Sequence, residues 1–209
     1  MRKLILLLLI LGFAVSVSAQ SVATYDKPNR IKGGFYMKFG PSFPVGPFKT
    51  LQIDGRTFEP AKVGFFGDFG YLIYIGPAFA NKFLRAGMDL TFLTAGFHAS
   101  HHNYLSGESK IDYYYFFLGQ KMGPLVTINP VDHLMIDLSW KLGFYAAEYN
   151  DDWGSNLVQQ EISLGLRYKL AAFSVNYHFG KINYNDFEKA NPEQWAYDNA
   201  VKIMVGLKF

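Results

Sequence analysis

The chain has 209 residues, half of them hydrophobic, 18% aromatic and 18% charged, which excludes a disordered chain of low hydrophobicity and high net charge. Its 20 glycines follow no period, so a collagen-like repeat is excluded, and the lack of cysteine excludes disulfides, thiolate metal sites, thiol nucleophiles and lipoprotein attachment. A formal net charge of +3 leaves no electrostatic footprint for nucleic acid.

The first element is a targeting segment. Met1-Arg2-Lys3 is a basic head, Leu4 to Val15 is apolar apart from Gly12, and Val17-Ser18-Ala19 supplies small residues for a signal peptidase. Residues 1–19 therefore read as a secretory signal peptide, cleaved after Ala19. The apolar run falls short of the ~20 residues that span a bilayer as a helix. The mature chain would have 209 − 19 = 190 residues and, without Arg2 and Lys3, a balance of 18 − 17 = +1. Later apolar runs are soon broken by Lys, Arg, Asp or Gly, so residues 20–209 read as one domain, with Ser21–Asn29 as a lead-in.

Alternation of period two then fills the chain, the mark of strands with two unlike faces. Phe35, Met37 and Phe39 oppose Tyr36, Lys38 and Gly40. Next, Phe65, Phe69, Tyr71 and Ile73 oppose Gly64, Phe66, Asp68 and Gly70. Leu84, Ala86, Met88, Leu90 and Phe92 oppose Arg85, Gly87, Asp89 and Thr91. In the fourth segment Tyr114, Phe116, Leu118 and Met122 oppose Tyr115, Phe117, Gly119, Lys121 and Gly123, although Gln120 and Pro124 share the apolar side. Ile136, Leu138, Trp140, Leu142 and Phe144 oppose Asp137, Ser139, Lys141 and Gly143. In the sixth, Val158, Ile162, Leu164, Leu166, Tyr168 and Leu170 oppose Gln159, Glu161, Ser163, Gly165, Arg167 and Lys169, with Gln160 an exception on the apolar side. Phe173, Val175, Tyr177 and Phe179 oppose Ser174, Asn176, His178 and Gly180. Last, Val201, Ile203, Val205, Leu207 and Phe209 oppose Ala200, Lys202, Met204, Gly206 and Lys208.

Connections after the even segments are short: Gly76–Lys82, Asn129–His133 and Leu170–Ala172. Those after the odd segments are long and polar: Pro41–Lys62, Phe97–Lys110, Ala147–Leu157 and Ile182–Ala196. Short turns at one end and long loops at the other describe an outer-membrane barrel. The fold class predicted is all-β, an eight-stranded antiparallel up-and-down transmembrane β-barrel. A soluble lipocalin-like barrel would bury the apolar face instead. Against that, the polar face is rich in glycine, which suits a narrow lumen, and the other face is bulky and aromatic, which suits lipid and its interfaces.

The polar face also carries charges at similar heights. Lys38, Lys121, Lys141 and Lys202 stand against Asp68, Asp89, Asp137 and Glu161, eight charges that sum to zero, with His178 beside them. On the lipid face a mid-depth Lys or Arg would cost ~2–4 kcal/mol, whereas an inner belt lets the charges satisfy one another. A plugged, salt-bridged lumen is expected. Arg85, Arg167 and Lys169 are expected near a watery periplasmic rim.

With signal peptide, amphipathic strands, alternating loop lengths and a terminal Val-Gly-Leu-Lys-Phe, the chain resembles the small outer-membrane β-barrel family and is similar to the transmembrane domain of outer-membrane protein A and its porin-like relatives. The resemblance implies residence in the outer membrane of a Gram-negative bacterium, contact with outer-membrane lipids, and a C-terminal strand, ending in Phe209, that the barrel-assembly machinery reads. Larger members add a periplasmic peptidoglycan-binding domain, which is not expected here.

Two sharper readings attach to His98-Ala99-Ser100-His101-His102. His98 and Ser100 share a face, expected to be the lipid side of Met88 and Leu90, and with Glu108 they resemble the serine–histidine–acid set of outer-membrane lipid A deacylases. The three histidines could also hold a metal, though not with helical spacing. Against both, the cluster opens a polar loop. Asn150-Asp151-Asp152 lacks the spacing of a calcium loop and reads as a turn. His178 reads as a member of the belt or a pH-sensitive latch. The leading reading is a non-enzymatic barrel with a structural or surface role and no cofactor; a small porin-like channel is the alternative, and a lipid A hydrolase the third.

Overall fold

Because side chains alternate along a strand, a sheet with one greasy and one polar face can curl until its edges meet, which leaves no unpaired backbone. The computed structural model of the chain does this; it describes residues 31–45, 52–53, 56–57, 63–78, 83–102, 111–131, 133–149, 152–183 and 195–209. Residues 1–19, read as the signal peptide, lie outside them, as do Glu108, Asn150 and Asp151. The barrel strands are β1 (Gly34–Pro44), β2 (Gly64–Tyr74), β3 (Leu84–His102), β4 (Ile111–Val131), β5 (Leu134–Tyr149), β6 (Asp152–Tyr168), β7 (Ala171–Phe179) and β8 (Ala200–Lys208). Each pairs antiparallel with the next, and β8 returns to β1, so the barrel is closed. The seam runs from Tyr36 opposite Lys208 to Pro44 opposite Ala200. The chain end stays in it: the Phe209 amide donates to the Phe35 carbonyl at 2.8 Å.

The apolar face points outwards. On β6, Leu164 is 54% exposed and its neighbour Ser163 only 4%. Trp140, Leu142, Ile162, Tyr177 and Val205 project outside in the same way. A water-soluble barrel has the opposite polarity; this is the surface of a transmembrane barrel. On β5 every outward residue from Ile136 to Ala146 is apolar, and Glu148 is the first outward charge. That stretch matches the ~9–11 tilted residues a strand needs to cross a bilayer.

Strands reach into the expected long loops, β1 as far as Pro44. β3 continues into the stretch Phe97–Lys110, as far as His102. β5 and β6 nearly meet, since Tyr149 pairs with Asp152, so Ala147–Leu157 is a tight hairpin rather than a long loop. The polar residues there belong to paired strands. β3–β6 have 19, 21, 16 and 17 residues, whereas β1, β2, β7 and β8 have 11, 11, 9 and 9. One side of the barrel wall is therefore taller. A ribbon of Lys181–Asn183 on Trp195–Tyr197 continues the sheet beyond β7, with Asn183 opposite Ser155.

At the other end, all three connections contain a residue with left-handed backbone: Gly76 at φ 71°, His133 at 66° and Lys169 at 54°. Only the first is the residue type that adopts this region freely.

Candidate functional site

The interior is the candidate site, because the polar face of every strand converges there. β2, β4, β5 and β6 supply its centre. Lys121 donates to Asp68 Oδ2 at 2.9 Å and to Glu161 Oε2 at 2.7 Å. Lys141 stands 3.0 Å from Glu161 Oε1 and 3.2 Å from Asp89 Oδ2. Lys202, from β8, adds a looser contact, 3.5 Å from Glu161 Oε2, and lies 4.2 Å over the Phe66 ring. Hydroxyls bond two of the carboxylates, while Glu161 Oε1 and Lys202 Nζ rest on ion pairing alone. Tyr36 donates to Asp89 Oδ1 at 2.6 Å, and Thr94 to Asp68 Oδ1 at 2.5 Å. These charges are all buried, so pairing and hydrogen bonding must offset their lost hydration.

The other belt residues lie elsewhere in the lumen. Lys38 faces Asp68 in register, yet Lys121 holds that carboxylate. Lys38 instead donates to Ser174 Oγ at 3.3 Å and stands 4.8 Å over the Tyr36 ring. Asp137 belongs to a separate lower cluster. Arg167 binds both of its carboxylate oxygens through Nε and Nη2 and also donates to the Tyr74 hydroxyl at 2.7 Å. Thr127 closes that cluster with a 2.5 Å bond to Asp137 Oδ1. Arg167 is thus a buried, paired lumen residue, not a rim residue in water; Asp137, paired to β6 through Gly165, sits one step from it and reaches it first. His178 faces Glu161 in register but bonds Asp198 Oδ2 through Nε2 at 2.9 Å.

His98 is the chief correction. It lies inside the barrel, fully buried, not on the lipid side of Met88 and Leu90. The cause is a bulge in β3: Thr91 pairs with Lys121 and Thr94 with Gly119, so β3 carries one residue more than its partner. Thr91 and Thr94 both point inwards, Phe92 and Leu93 do not, and the phase of the strand reverses above them. His98 Nε2 is 3.3 Å from Ser42 Oγ, and its ring lies 5.2 Å from Phe66 and 5.7 Å from Phe117. Ser100 pairs with Tyr113 through its backbone.

Sequence reasoning missed three groups. Asp198 sits just before β8 in a stretch with no clear alternation, so nothing marked it as inward. Thr91, although read on the polar face, is uncharged and was not marked as a partner, and Thr94 comes inside only through the bulge. The lumen aromatics Tyr36, Phe66 and Phe117 fell on the polar face, Tyr145 lay past the last residue read for its strand, and the fit of all four was not legible. Glycines make their space: a Cβ on Gly119 would stand 3.0 Å from the Tyr145 ring. What remains open near the lower network is about 30 Å³, lined by Tyr36, Lys38, Asp89 and Ser139. That is room for about two waters. No group of metal-ligating side chains occurs among the described residues.

No protein-family model and no curated protein matches the chain. Among solved structures it is similar to two of Ail, the attachment invasion locus protein of Yersinia pestis. One, in complex with the heparin analogue sucrose octasulfate, has 11% identity and a TM-score of 0.39; the other has 13% identity and a TM-score of 0.35. Both alignments cover 85% of this chain and 97% of the other.

Proposed function

We propose that this chain is a non-enzymatic outer-membrane barrel of a Gram-negative bacterium, with a closed lumen, a structural role in the membrane and a surface carried by its taller half. The observation that bears most weight is Lys121, which joins carboxylates of β2 and β6 across the middle of the barrel. Ions would have to break that buried junction to pass. The inward, Ser42-bonded position of His98 supports the non-enzymatic reading, since a base turned into the lumen does not meet lipid. β3–β6, longer than a bilayer requires, support a role outside it. Outer-membrane lipids are the partners of the apolar band. The barrel-assembly machinery is the partner of the β8 end, where Phe209 is exposed beside Phe35 with ring centroids 6.3 Å apart.

Planar-bilayer recording is the test. The closed-lumen reading expects no steady unitary current from the purified protein. Steady currents that change with Lys121→Met or Asp89→Asn would overturn it in favour of a channel. Lipid A mass spectra that are identical with and without Ser100→Ala are expected; a lost modification would establish the hydrolase instead.

A further inference from the structure

The cations of the lumen are not all matched. Lys121, Lys141, Lys202 and Arg167 each reach a carboxylate oxygen. Lys208 reaches none among the described residues, but donates to the Lys32 carbonyl at 2.7 Å and the Gly33 carbonyl at 3.1 Å. Lys38 has neither kind of partner. It is buried, pairs with no acid among the described residues, and uses one of its three N–H donors on Ser174 Oγ at 3.3 Å, long for such a bond. A buried ammonium without a counter-charge is costly, and one weak hydroxyl contact does not replace a carboxylate. The sum agrees. Six buried cations (Lys38, Lys121, Lys141, Arg167, Lys202, Lys208) face five lumen acids (Asp68, Asp89, Asp137, Glu161, Asp198), so 6 − 5 = +1 without counting His178.

The open space in the lumen lies beside this unmatched charge. Lys38 and Ser174 both border the cavity of about 30 Å³. Its room comes from small inward residues, Gly165 on β6 directly opposite Ser174 on β7, and Ala172 below them. Two carboxylates also border it, but Lys141 already holds Asp89 and Arg167 already holds Asp137, so the charge left over on the wall is positive. Ser174 Oγ accepts from Lys38, which leaves its own O–H to give. We infer that this cavity binds one small monovalent anion, chloride, between Lys38 Nζ and the Ser174 hydroxyl. A space for about two waters admits a monatomic ion and excludes sulfate or phosphate. Counted from the short-turn ends, Lys38 is 38 − 34 = 4 residues up and Ser174 is 174 − 171 = 3, whereas Lys121 is 131 − 121 = 10. The ionic junction thus lies on the loop side of the ion, which enters from the short-turn end and stops. The site rests on the closed-lumen reading above.

Urea titration of the full chain in detergent micelles tests this, with chloride varied at constant ionic strength against gluconate. An ion that binds only the folded barrel raises the folding equilibrium constant about tenfold for each tenfold rise in chloride above its dissociation constant. That rise is expected in the unaltered protein and in Lys169→Met, a change at an exposed turn. It is expected to vanish in Lys38→Met, and in Ser174→Leu, which keeps the ammonium but fills the cavity. Heat-modifiable gel migration of each variant reports a formed barrel. Crystals grown in bromide should show one anomalous peak between Lys38 Nζ and Ser174 Oγ. No chloride dependence in the unaltered barrel, an equal dependence in Lys38→Met, or a bromide peak elsewhere in the lumen overturns the anion site alone. Steady chloride currents across planar bilayers would instead sink the closed lumen on which it rests.

Discussion

Lys121 and Lys38 point into the same lumen but differ in what each leaves behind when removed. Lys121→Met strips a partner from both Asp68 and Glu161, which are fully buried. Its expected cost is about 3–5 kcal/mol, the penalty for an uncompensated buried charge. Lys38→Met strands no carboxylate among the described residues, only the Ser174 hydroxyl, and should cost about 1 kcal/mol. Urea titration of the refolded protein in micelles compares the two; equal costs would mean that the ion pairs contribute nothing of their own. At this scale the sequence was legible in kind. Charges on a glycine-rich face had to meet one another, and height along the strand picked most of them. Partner choice was not legible, because it depends on reach across a closed ring: Asp68 faces Lys38 but is held by Lys121.

Among the strands, the outward alternation makes a depth-dependent prediction. Ile162 lies mid-strand on β6 and Tyr168 at its short-turn end. Arginine at Ile162 should cost about 2–4 kcal/mol, and at Tyr168 about 0–1 kcal/mol. Folding yield into lipid vesicles measures both, and a reversed order would place the membrane elsewhere on the barrel. In the turns, Lys169 holds a left-handed backbone without glycine's freedom. Lys169→Gly should therefore raise stability by roughly 1 kcal/mol in the same assay. The strands themselves were readable because period two holds over long stretches of all eight. The β3 bulge was not, since Phe92 and Leu93 are both apolar and either one continues the pattern. Nor were the tall hairpins. Their tips are rich in polar residues, and a polar stretch looks like a loop.

For the whole molecule, closure is the property to measure. An unheated sample should migrate differently from a boiled one on a detergent gel, and removal of the β8 strand should abolish the difference, because β8 alone pairs both β1 and β7. The ionic junction has a further consequence for how such an object arises. Its members come from β2, β3, β4, β5, β6 and β8, with the Tyr36 hydroxyl from β1. A half-inserted precursor would carry orphan ammonium and carboxylate groups into hydrocarbon, where each has nowhere to turn. Delivery one hairpin at a time is thereby penalised at every stage, and penetration of the bilayer is tied to the final zipping of the ring as a single concerted event.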